Sequence, residues 1–71
     1  MASDTLEAAR SRYMVAYDAY QHASKRVAQK LATGLIPSAE EVEVEGKAIE
    51  QLAVARRDFL DAMARFAPPR S

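Results

Sequence analysis

The sequence predicts an all-α fold, an antiparallel two-helix hairpin that dimerises into a four-helix bundle. Three observations predict it. Apolar residues recur every seven positions along two long stretches. Helix-breaking residues occur only where those stretches end, apart from Gly46. The break between them is so short that the second stretch must fold back on the first.

The first stretch is expected to be helical from about residue 4 to residue 33. Asp4-Thr5-Leu6-Glu7 fits a capping box, with an acceptor side chain at its first position and Glu three residues later. Leu6, Tyr13, Tyr20 and Val27 repeat every seven residues, with Ala9, Ala16 and Ala23 between them. The spacing alternates three and four, so these residues line one seam. Large residues alternating with Ala let two backbones approach closely while the large side chains interdigitate. Gly34 suits a left-handed C-terminal cap, and residues 34–38 are expected to form the turn.

The second helix is expected over about residues 39–66, followed by a Pro-containing tail at 67–71. Pro37 precedes Ser38-Ala39-Glu40-Glu41, a capping box in its usual setting. Leu52, Phe59 and Phe66 repeat every seven residues, interleaved with Ala48, Ala55 and Ala62. Glu41 to Glu45 alternates with a strand-like period of two, but the run is short and has no partner strand. Gly46 is unusual inside a helix and suggests close contact with a second hairpin, or a mild bend.

If Thr33 lies across from Ser38, facing residue numbers total about 71. Leu6 then meets Met63 and Phe66, Tyr13 meets Phe59, and Tyr20 meets Leu52. Leu31 and Val27 meet Val42 and Val44. Lys25, Arg26 and Lys30 fall opposite Glu40, Glu41, Glu43 and Glu45. Hydrophobic pattern and charge pattern therefore select the same register.

Composition restricts function. The 71 residues are read as a single helical-hairpin domain. Ten basic residues balance ten acidic ones, which disfavours a general nucleic-acid or membrane-surface binder. No Cys is present, so neither a disulfide framework nor a thiolate metal site is expected. No membrane-spanning run and no targeting signal is read, and a cytoplasmic protein is expected. Fifteen of the 35 hydrophobic positions are Ala, so the core has less bulk than its count suggests. Yet the apolar arc of the second helix runs through Ala48, Leu52, Ile49, Leu60, Val42 and Ala53, wider than a hairpin alone covers. Homodimerisation would cover the excess.

No set of residues for catalysis is recognised, and no enzyme activity, cofactor or metal is expected. His22, the single imidazole, has Asp18 four residues before it but faces solvent among Ser11, Lys25, Arg26 and Gln29. Tyr13, Tyr17 and Tyr20 read as core aromatics with hydroxyls at the rim, Tyr17 lying at the side of the seam. Arg56 is the polar exception in the stripe of Ile49, Leu52, Phe59 and Met63, its stem expected to cover apolar surface. Met14, Tyr17, Leu52, Arg56 and Leu60 are the candidate contacts to a second copy or to a helical protein partner. The alternative function is that of a nucleic-acid accessory protein using Arg10, Arg12, Arg57 and Arg65 at the open end. Acids at the same end leave little net charge, so nucleic acid is not the expected partner.

The architecture resembles that of small bacterial helical hairpins of the Rop kind, which dimerise into four-helix bundles and bind RNA. The resemblance is architectural, without a shared motif, and it implies a dimer. The segment Leu31-Ala32-Thr33-Gly34-Leu35-Ile36-Pro37, with Glu40, is similar to the hairpin turn of the exonuclease VII small subunit over about ten residues of generic turn chemistry.

Overall fold

The computed structural model describes residues 5–66 and contains two helices, α1 (Leu6–Ala32) and α2 (Ala39–Phe66), packed against each other. Its Cα extents are 52 Å along the longest direction and 13 Å along the thinnest. The molecule is thus a slab one layer of helices thick, open on both broad faces.

The N-terminus of α1 differs from expectation by one residue. Thr5, in extended geometry, is the cap, and its hydroxyl accepts from the Ala8 amide at 3.0 Å. The residue three positions after Thr5 is Ala8, so no carboxylate returns the bond, and a reciprocal box is not formed here. Asp4, the expected cap, lies outside the described residues.

The turn is closed by backbone chemistry. Gly34 has φ +80°, the left-handed geometry that favours glycine. Its amide donates to the Leu31 carbonyl at 3.1 Å, and the Leu35 amide donates to the Lys30 carbonyl at 2.7 Å. These two bonds complete a Schellman cap. The Thr33 hydroxyl donates to the carbonyls of Gln29 and Lys30 as well. Four residues later the capping box opens α2. The Glu41 amide donates to Ser38 Oγ at 3.1 Å, and the Ser38 amide donates to Glu41 Oε1 at 2.9 Å.

The inward residues of α1 are Leu6, Ala9, Tyr13, Ala16, Tyr20, Ala23, Val27 and Lys30. Those of α2 are Glu41, Glu45, Ala48, Leu52, Ala55, Phe59 and Ala62. Both rows step by three and four, so the seam follows the predicted heptad spacing. The register agrees at two well-separated levels. Tyr13 stacks on Phe59 with ring centroids 5.6 Å apart, and Lys30 Nζ lies 2.8 Å from Glu41 Oε1.

One predicted meeting near the turn is not made. Val27 is buried, but Leu31, Val42 and Val44 are all exposed. The reason is positional: Lys30 and Glu41 occupy the last inward layer. Leu31 and Val42 each follow an inward residue and turn to one broad face. Val44 precedes one and turns to the other. At the open end Leu6 is half-buried and Met63 is partly exposed. The expected contact with the Phe66 side chain, and the tail at 67–71, lie outside the described residues.

The core is thin. The buried residues are Ala9, Ala23, Val27, Ala48 and Ala62, and no large side chain among those described is fully buried. Large residues of the seam, Leu6, Tyr13, Tyr20, Leu52 and Phe59, are each half-buried. Single-layer packing causes this, because each seam side chain has neighbours on one side and water above and below.

Candidate interaction face

The two broad faces differ in chemistry, and the seam spacing explains how they arise. In a helix, the residue following an inward residue points to one flank and the residue preceding it to the other. Antiparallel pairing brings the following-residue flanks of both helices to the same face. On α1 this flank carries Glu7, Arg10, Met14, Tyr17, Gln21, Ser24, Ala28 and Leu31. On α2 it carries Val42, Gly46, Ile49, Ala53, Arg56, Leu60 and Met63. Met14, Tyr17, Leu31, Val42, Ile49, Leu60 and Met63 are all exposed there. Glu7, Arg10 and Arg56 are its charged residues, all in the open half of the hairpin.

The opposite face is polar. It carries Arg12 and Arg26 from α1, and Glu40, Lys47, Asp58, Asp61 and Arg65 from α2, with Val15, Val44 and Val54 scattered among them. Shallow depressions there confirm which residues share that side. Arg12 lines one with Gln51, Val54 and Asp58, and Arg26 lines another with Glu40 and Val44.

The sequence-derived candidates fall on this map as follows. Met14, Tyr17, Arg56 and Leu60 all lie on the apolar face. Leu52 lies in the seam between the helices and is half-buried, so it supports that face from beneath. Tyr17 is held in place by two contacts. Its ring stacks on Tyr13 with centroids 6.1 Å apart, and Gln21 Nε2 donates to its hydroxyl at 3.3 Å. Tyr13 therefore links Phe59 on one side to Tyr17 on the other, a short aromatic row from seam to face. Ile49 and Met63, which flank Arg56 on α2, belong to the same surface and were not singled out as contacts. Their position one residue after Ala48 and Ala62 is the signal that identifies them.

The arginines proposed for nucleic acid do not share one surface. Arg10 lies on the apolar face, Arg12 and Arg65 on the polar face, and Arg57 on the outer side of α2. Asp58 and Asp61 adjoin them. His22 is a solvent residue, its side chain 80% exposed. Its Nδ1 lies 3.3 Å from the Asp18 carbonyl oxygen and 4.0 Å from the Asp18 carboxylate. Among the described residues, no group of three His, Cys, Asp or Glu side chains could hold a metal ion. No helix among them is long and apolar enough to cross a membrane.

The strongest local electrostatic feature is at the turn. Glu41 accepts from Lys30 and from the Ser38 amide, and its carboxyl is held down at about 2 from an ordinary value of 4.5. The Lys30 bond is the larger cause and the Ser38 amide the next. This pair fixes the register at the turn end of the seam.

Comparison with known proteins adds no constraint: no family model, no curated protein and no solved structure matches the chain.

Proposed function

We propose that this chain is a non-enzymatic helical interaction protein whose apolar face pairs with that of a second copy to form a four-helix bundle. A helical partner protein would use the same face, laying its own apolar stripe along the groove between α1 and α2. The observation that carries this reading is the contrast between the two faces. One is apolar over most of its length, while the other is crowded with charges of both signs.

Size and charge both suit a second copy. Two helices side by side, each about 40 Å long and 10 Å wide, present roughly 800 Å², the area each partner contributes to a standard stable interface. A nearly uncharged face fits another nearly uncharged face without stranding a charge. The outer rows at its rim carry Asp18 and Lys25 on α1 and Glu50 and Arg57 on α2, each acid one heptad from a base. Each of these outer rows therefore carries both signs of charge. The thin core supplies the motive, because half-buried residues such as Leu52 and Phe59 gain cover only from a second layer.

Sedimentation equilibrium and thermal melts over a hundredfold range of concentration test this reading. The expected result is a dimer mass and a Tm that rises with concentration. A monomer that melts cooperatively at micromolar concentration, with a constant Tm, overturns it.

A further inference from the structure

We propose that the two hairpins of the bundle lie head to tail, the turn of each resting at the open end of the other. This rests on the reading that the apolar face pairs with a second copy, and it specifies how that copy is oriented. Two directions are open to a two-fold pair packed face to face. Head to tail stacks α1 on α1 and α2 on α2; turns together stacks α1 on α2.

Two observations favour head to tail. The first is the placement of charge. Arg10 and Arg56 are the cations of the face, and both lie in its open half. With the turns together, all four arginines of a dimer would gather in one half of the bundle, with only Glu7 on the same face to offset them. Head to tail carries the two Arg10 residues to opposite ends of the bundle, each over Ala28 of the other copy, and sets Arg56 over Ile49. There the stems cover apolar surface and the guanidinium groups reach the rim.

The second is shape. With Ala53 placed on the two-fold axis, Leu60 of one copy falls over Gly46 of the other and Met63 falls over Val42. Gly46 is in mid-helix, and an added Cβ there would have nothing within 4 Å. Its surface is therefore bare backbone, a hollow on the apolar face that the exposed Leu60 side chain fills. Turns together would instead set Gly46 against Ala28 and leave the hollow open. At the centre, Ala53 meets Ala53 and allows the two α2 helices to approach closely.

Spin labels at the turn distinguish the arrangements. Leu35 is exposed and outside both helices, so Leu35→Cys carries a nitroxide without entering the seam. Circular dichroism and sedimentation first establish that the labelled chain folds and pairs as the unlabelled chain does. Head to tail about Ala53, the two labels lie beyond opposite ends of the helices and are separated by ~50 Å in a pulsed dipolar measurement. A separation under about 20 Å, the width of two helices, overturns the head-to-tail arrangement and leaves the bundle standing. A monomer with no coupling between labels overturns both.

Discussion

Glu41 shows how much one side chain contributes at the turn. Its carboxylate accepts from Lys30 on the opposite helix and from the Ser38 amide at the start of its own. Since its folded value is about 2 against an ordinary 4.5, the charged form is favoured by folding. The stability it adds is present in full above pH 4.5 and is lost as pH falls toward 2. Glu41→Gln removes the charge, so the variant is expected to melt lower than the parent at pH 7. The gap should narrow steadily between pH 4.5 and 2, and melts followed by circular dichroism across that range would show it. A gap independent of pH would mean that the contact with Lys30 contributes nothing. Both partners were legible in the sequence, because Ser38 and Glu41 have capping-box spacing and Lys30 falls opposite Glu41 in the register. The cap of α1 was less legible. Asp4 and Thr5 are adjacent and both are good capping residues, so composition alone does not decide which one the chain uses.

At the scale of elements, the two glycines have opposite consequences. Gly34 has φ +80° and ends α1 in a Schellman cap. Gly34→Ala forces a side chain into left-handed geometry and should cost about 1–2 kcal/mol, read as a lower urea midpoint. Gly46 is helical with open space around it. Gly46→Ala should stabilise the dilute hairpin by up to about 1 kcal/mol, because Ala orders with less entropic cost in a helix. Equal shifts of one sign in the two variants would refute this contrast. The extent of both helices was readable from their heptad repeats and from the break at Gly34 and Pro37. The apolar residues beside that break were misjudged for a definite reason. Leu31, Val42 and Val44 are bulky and close to the turn, but Lys30 and Glu41 hold the inward positions there. Position in the three-four repeat outweighed hydrophobicity in deciding which side chain enters the seam.

For the whole molecule, the deciding property is the difference between its faces. The sequence displayed an apolar arc too wide for one seam. It did not separate apolar residues that continue the arc, such as Ile49, Leu60 and Met63, from those isolated on the charged side, such as Val15 and Val54. That distinction needs the direction of pairing, because it depends on which flank of α2 adjoins which flank of α1. It also provides a matched comparison. Leu60 and Val54 are exposed to similar degrees, 53% and 57%, and both are on α2. If exposure alone drove association, lysine at either position would weaken it alike. With the apolar face as the contact, Leu60→Lys places a strongly hydrated charge in a surface that becomes desolvated on pairing. It should raise the dissociation constant at least about tenfold, or ~1.4 kcal/mol. Val54→Lys leaves the charge in water and should alter stability by no more than about 0.5 kcal/mol. Sedimentation equilibrium on the two variants reads the difference directly. Equal weakening by both would mean that the faces are not distinguished in solution, and association by Leu60→Lys at the parent's strength would remove this face as the contact.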